Sequence, residues 1–383
     1  MNYTKNLQGA KRAFFMLFFL LATTMVVNAV PVKPGLRRQL TLTDGTKVNA
    51  LLVGDEYGHY WLGENGNTYQ DLNGDGLYEF IDAKAVQVRA NARRVAANKR
   101  RVRRLAPNKV GEVGSITGDK KGIIILVNFK NKSFTATQSD FNKLANQVNY
   151  NSGNYKGSMY DYFYAQSDGD FRLTFDVVGP YTVSQNYSYY GGNDSSGNDR
   201  YPAKMVIEAL QQADADVNFS EYDWDGDGEV DQVYVVYAGK GEADGGSDDT
   251  IWPHEWELSS AAQYGDGTGA QTFDGVTINT YACGGEQNGE TGATAGIGTM
   301  CHEFSHCLGY PDFYDTDYSG GQGMFEWDLM DSGSYNGDGY RPAGYTSYER
   351  WVAGWKTPIE LTATQTISNM KALQTTGSES YII

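Results

Sequence analysis

The sequence predicts an α+β fold in two parts. A small β-rich amino-terminal unit precedes a larger portion, in which strands and helices come first and a loop-rich half follows one marked helix. Three observations predict it. Residues 41–66 interleave short apolar runs with the turn pairs Asp44-Gly45 and Asn65-Gly66, which is β-hairpin patterning. Ile123–Phe129 (IIILVNF) and Val230–Tyr237 are apolar runs of strand length. Ile297, Met300, Phe304 and Leu308 recur at helical spacing in a stretch that also holds two histidines four residues apart.

From the amino terminus, Lys5, Lys11 and Arg12 precede an apolar run over 13–27, and Val27-Asn28-Ala29 has the small residues of a cleavage site. Residues 1–29 therefore read as a signal peptide. The run is short of the roughly 20 residues that span a bilayer, and no later segment is apolar enough to cross one. The mature chain is expected outside the cytoplasm, without stable membrane insertion. Residues 30–104 read as a β-rich prosegment that holds the remainder latent. It ends in the basic cluster 89–104, expected to be an exposed, cleavable linker, with a solvated charged helix as the alternative. Residues 1–104 hold 16 Lys+Arg against 8 Asp+Glu, and the rest holds 15 against 39. So acidic and aromatic-rich a portion argues against nucleic acid as a partner. A monomer is expected.

Residues 105–383 are long enough for one sizeable core. After the first strand run, Ser139–Val148 looks helical with Ser139 as a candidate cap. Arg172–Val178 alternates like a strand. Pro202–Ala213 looks helical with proline at its start. Residues 239–294, rich in Gly, Asp, Ser and Thr, are expected to be mostly surface loop. There is no internal repeat.

The chemistry concentrates in the marked helix, which reads HExxHxxGxxD from His302 to Asp312. Histidines at i and i+4 share a helix face and can converge on one metal ion. A catalytic zinc takes three protein ligands, keeps one position for water and lowers that water's pKa to about 7. Glu303, beside the first histidine, can take the proton of the zinc-bound water and pass it to a leaving amine. Gly309 permits an abrupt turn and Pro311 prevents the helix from resuming, so Asp312 can return to the metal as third ligand. Glu326 is the rival third ligand. The turn at Gly309 favours Asp312, and Met330, in Trp327–Gly333, resembles the turn methionine that marks the metzincins, whose third ligand follows the motif directly.

These residues resemble a known family. His302–Asp315 (HEFSHCLGYPDFYD), Trp327–Tyr335 (WDLMDSGSY) and Ser347–Trp355 (SYERWVAGW) are similar to the bacterial immune-inhibitor-A family of secreted metalloproteases. Gly157–Phe163, Asp223–Ala238 and Ile251–His254 match it more weakly. The resemblance implies a zincin of metzincin type, with an active-site helix and Met-turn, one catalytic zinc, bound calcium, a prosegment and a secreted endopeptidase acting on proteins or peptides. Carried over by position, the zinc ligands are His302, His306 and Asp312, the base is Glu303 and the turn methionine is Met330. Members continue into further β-rich segments, whereas this chain stops in what reads like a strand at Ser380–Ile383, so the catalytic region is expected to be incomplete.

Asp223, Asp225, Asp227, Glu229 and Asp231 resemble the start of a calcium loop, with Gly228 at the sharp turn. Tyr234 stands where an EF-hand has glutamate, so Asp231 is expected to complete the cage. Asp71, Asn73, Asp75 and Asp82 echo the pattern. Cys283, Cys301 and Cys307 all lie in the larger portion; one helical cysteine pairs with Cys283 or all three stay reduced. With no cysteine in the prosegment, latency by a thiolate is excluded, leaving steric cover or an aspartate. His254 reads as a hydrogen-bonded loop histidine, and Tyr335 or Tyr340 as a candidate to stabilise an oxyanion. The competing function is a calcium-dependent extracellular binding protein on a peptidase-like fold, against which the intact Glu303 argues.

Overall fold

The computed structural model describes residues 30–105, 116–194, 196–316, 318, 320–373 and 378–383; the expected signal peptide lies outside them. The amino-terminal unit is an antiparallel meander of β1 (Arg37–Thr41), β2 (Lys47–Asp55), β3 (Gly58–Gly63), β4 (Thr68–Gln70) and β5 (Glu79–Phe80), paired in chain order. Its core joins Leu40, Leu52, Trp61, Tyr69 and Tyr78 to Ala243 and Trp252 of the larger portion, so its apolar face is closed by the rest of the chain. The basic cluster is helical, as in the alternative reading of that segment. It forms the long helix α1 (Ala83–Leu105), seated by Val86 and Ala90 against Tyr57 and Gly58, with Lys84 and Arg89 exposed. Arg94 is the exception: it is fully buried in an ion pair with Asp55.

The central sheet of the larger portion has strand order β7-β6-β8-β12-β9. β6 (Gly118–Asn128), β7 (Phe171–Thr182), β8 (Val233–Lys240) and β12 (Thr280–Gln287) are parallel, and β9 (His254–Glu257) is an antiparallel edge. Helices cover both faces, which is why the β6 run reads as continuously apolar. Ile123 and Ile125 join one core with Val206 and Leu210 of α5 (Pro202–Ala213). Ile124 and Leu126 face the other, shared with Phe141 of α2 (Gln138–Asn146), Phe163 of α3 (Met159–Gln166) and Phe304 of α7 (Gly298–Cys307). The short helices α4 (Tyr187–Gly191), α6 (Leu258–Gln263) and α8 (Ser347–Val352), the hairpin β10 (Gln271–Phe273) and β11 (Val276–Ile278), and the parallel pair β13 (Ile359–Glu360) and β14 (Tyr381–Ile382) complete the fold. The strand expected at the last residues is therefore present.

Two expectations need correction. The α2 cap is Thr137, whose side chain accepts from Asp140 N in a capping box, not Ser139. Residues 239–294 are not mostly surface loop: they supply β9, α6, β10, β11 and the buried β12. The small residues that suggested a loop are needed inside the sheet, where a Cβ on Gly285 would lie 2.7 Å from Gly241 N.

Arg94→Ala strands Asp55 as a buried charge. The expected cost is about 3–5 kcal/mol, read by chemical denaturation of the full chain followed with Trp61 and Trp252 fluorescence, and restored in part by adding Asp55→Asn.

Candidate active site

Helix α7 is built to hold its histidines against the Trp327–Tyr340 region. Its first turn has no room for a side chain at Gly298, where a Cβ would lie 1.9 Å from Ser334 O. It ends at Gly309, whose φ of 96° only glycine adopts readily, with Gly309 N donating to His306 O and Tyr310 N to Ser305 O. The chain then doubles back, and Asp312 lies over the two histidines.

His302, His306 and Asp312 bring ligand atoms within 4.8 Å of one another, all buried. His302 Nε2 is 3.0 Å and His306 Nε2 3.5 Å from Asp312 Oδ1, and the two Nε2 atoms are 3.2 Å apart. Each ring is oriented from behind: His302 Nδ1 donates to Leu329 O and His306 Nδ1 to Tyr310 O, both at 2.7 Å. A carbonyl only accepts, so both Nδ1 atoms carry hydrogen, and in the neutral rings both Nε2 lone pairs point at Asp312. Among the described residues, neither carboxylate oxygen of Asp312 has a hydrogen-bond donor other than those two Nε2 atoms. Burial would raise the Asp312 pKa, but His306 and His302 hold it below its ordinary value. Burial would lower that of His302, but Asp312 raises it. Three groups converging in this way suit a shared cation, and two imidazoles with a carboxylate are a donor set that a divalent transition metal fits.

The tight turn at Asp328–Asp331 braces both halves of this cluster. Leu329 O fixes His302, while Met330 O accepts from Phe313 N at 2.7 Å and so fixes the loop carrying Asp312. Met330 itself is fully buried, in the apolar cluster that also holds Cys301 and Phe304. Glu326, the rival ligand, is exposed on a separate turn and is not part of the cluster.

Glu303 is fully buried, and its Oε1 accepts from Val30 N at 3.2 Å. That contact shows what lies across the site: residues 30–33, at the start of the amino-terminal unit. Trp252 Nε1 donates to Val30 O at 3.2 Å, Tyr335 OH to Pro31 O at 2.8 Å, and Lys33 N to Ala243 O at 2.9 Å. Sequence reasoning missed this segment, because a contact 273 residues apart leaves no local signal. Tyr340 is committed to Thr294 O, which leaves Tyr335 as the tyrosine that reaches the site.

Away from this centre, Asp223, Asp225 and Asp227 also bring carboxylate oxygens within 4.8 Å of one another, on a partly exposed loop. Glu229 and Asp231 are outside that group; Asp231 instead accepts from Trp224 N and closes the loop. Asp71 is spent on the amides of Gly74, Asp75 and Gly76, and Asp82 on Lys84 N at the start of α1. None of the three cysteines forms a disulfide, and all are buried. His254 is hydrogen-bonded between Trp252 O and Tyr281 OH, as a structural histidine would be.

The family model described as immune inhibitor A peptidase M6, catalytic domain, matches residues 108–355. Among curated relatives, the chain is 31% identical over 223 residues to the pre-pro-metalloprotease PrtV of Vibrio cholerae serotype O1 (strain M66-2), covering 50% of this chain and 23% of the relative. It is 29% identical over 231 residues to immune inhibitor A of Bacillus thuringiensis subsp. alesti, covering 52% and 33%. The chain thus spans a quarter to a third of the length of these relatives.

His306→Ala removes one of the three converging donors. Metal content measured by mass spectrometry after dialysis against a divalent metal is expected to fall from one ion per chain at this site to none, with the far-ultraviolet circular dichroism unchanged. Glu303→Gln is expected to retain the ion.

Proposed function

The chain belongs to the immune inhibitor A peptidase M6 family, and from that premise we propose that it is a secreted zinc endopeptidase made as a zymogen, with a metzincin-type site. The observation that carries the reading is the convergence of His302, His306 and Asp312, each histidine tied at Nδ1, beside a buried Glu303. Zinc bound by those three side chains supplies a Lewis acid for the scissile carbonyl and for the attacking water.

The remaining steps belong to the chain's own residues. Leu329 O and Tyr310 O keep both rings in the ligating tautomer. The Asp328–Asp331 turn keeps the third ligand's loop in register. Glu303 takes the proton of the attacking water and delivers it to the departing nitrogen, a role supported by the amide of Val30 already placed at its carboxylate. Tyr335 and Trp252, which grip the carbonyls of Pro31 and Val30, are placed to hold a substrate main chain.

Latency is by steric cover. Residues 30–33 lie where a substrate would, and the rest of the amino-terminal unit anchors them through Arg38 with Asp248, through His59 with Glu242, and through the shared apolar core. The Vibrio relative is named a pre-pro-metalloprotease, and the same organisation is proposed here: a signal peptide, a prosegment and a catalytic part released by cutting in the basic segment. The Asp223, Asp225 and Asp227 loop is the proposed calcium site, with Asp223 positioned by the amides of Gly226 and Gly228.

Casein digestion by the full chain, before and after limited proteolysis, tests the enzyme. Digestion is expected only after cutting, to be abolished by a zinc chelator and to fall by at least about 100-fold in Glu303→Ala. Full-rate digestion by Glu303→Ala rejects the mechanism. The calcium loop is tested by thermal unfolding: calcium at a hundredfold excess over Kd adds about 2.7 kcal/mol, and Asp225→Asn with Asp227→Asn abolishes the gain.

A further inference from the structure

The segment that covers the site also carries a side chain into a pocket of its own. Lys33 Nζ lies 3.3 Å from Asp244 Oδ1, 3.4 Å from Glu290 Oε1 and 3.4 Å from Asp338 Oδ1, with its side chain only 10% exposed. The three acids come from separate loops: after β8, after β12 and after the Asp328–Asp331 turn. All belong to the larger portion and stay with it when the amino-terminal unit leaves. So do the groups that hold the Val30, Pro31 and Lys33 main chain, namely Glu303, Trp252, Tyr335 and Ala243. Among the main-chain bonds of this segment, Val32 N to Gly54 O is one made within the amino-terminal unit.

We propose that Asp244, Glu290 and Asp338 form a substrate subsite that selects a lysine or arginine at the fourth residue on the carboxyl side of the bond cleaved. The inference rests on the endopeptidase reading, which gives the count its origin. Glu303 hands a proton to the departing nitrogen, and the nitrogen at Glu303 here is that of Val30. Val30 therefore stands where the first residue after the cleaved bond stands, and Lys33 where the fourth does.

Asp244 contributes most. Its side chain is 19% exposed, against 61% for Glu290 and 55% for Asp338, whose attraction is weakened by solvent. Asp244 Oδ2 accepts from Gly289 N at 2.8 Å, and Lys33 is the cation on its other oxygen. Departure of Lys33 removes the cation 3.3 Å from Asp244 Oδ1, and an incoming basic side chain can take its place. The same three charges repel an acidic side chain at that position, so the subsite discriminates in both directions.

The test uses the full chain cut in its basic segment. New amino termini from a digested protein mixture are sequenced, and peptide pairs differing only at the fourth residue after the cut are compared. Lysine or arginine is expected to be enriched there, with kcat/KM about tenfold higher for lysine than alanine. In Asp244→Asn, and separately in Glu290→Gln with Asp338→Asn, that ratio falls towards one; Asp244→Lys turns the preference to glutamate. Digestion without preference at this position, or a preference that the variants leave intact, overturns the subsite while leaving the peptidase standing. Should the wild type digest nothing, the peptidase reading fails, and calorimetry still decides the pocket. Val-Pro-Val-Lys is expected to bind about tenfold tighter than Val-Pro-Val-Ala, and equal affinities overturn the proposal.

Discussion

Two imidazole nitrogens and a carboxylate packed face to face, out of reach of water, are the constraint on which the rest of the structure depends. Left to themselves these groups offer one another only lone pairs and negative charge, and an interior tolerates that poorly. The surroundings do nothing to relieve it and much to enforce it. The hydrogens of His302 and His306 are drawn to the far side of each ring by Leu329 O and Tyr310 O, and among the described residues Asp312 has no donor besides the two Nε2 atoms. The cation of the proposed site would relieve such an arrangement.

The rigidity comes from a few short-range choices acting over long distances. Helix α7 lies against a parallel sheet whose other face is equally covered, so it has little freedom to shift. Gly309 reverses the chain at the helix end and Gly298 lets its start touch the Ser334 backbone. One four-residue turn then grips both the first histidine and the loop of the aspartate. Around this centre the amino-terminal unit closes like a cover, basic where the larger portion is acidic: Lys33, Arg38 and His59 meet Asp244, Asp248 and Glu242. In the proposed zymogen, the contacts that hide the site are also those that a substrate would have to reproduce.

The centre was legible in the sequence because its information is local. The i, i+4 histidines, the adjacent glutamate, the glycine turn and the proline all fall within eleven residues of one another, and each has a direct steric or chemical meaning. The strands of β6, β7 and β8 and the helix at Pro202–Ala213 were legible for the same reason. Three things were not fully so. Strand β12 reads as a loop because its glycines and alanine serve close approach inside the sheet. Helix α1 was legible only as the alternative to a cleavable linker, because its described contacts, Val86 and Ala90 against the meander and Arg94 with Asp55, lie across the unit, which composition does not reveal. The segment at residues 30–33 has no signature at all, since its partners at the site, Glu303, Trp252 and Tyr335, lie more than 200 residues away.

The most direct measurement is an anomalous diffraction map at the zinc absorption edge, from crystals of the proteolytically cut chain grown with zinc. The proposed site requires one peak about 2.0–2.2 Å from His302 Nε2, His306 Nε2 and an oxygen of Asp312. A well-ordered site with no peak among those three side chains, or with the ion held by other residues, would contradict it.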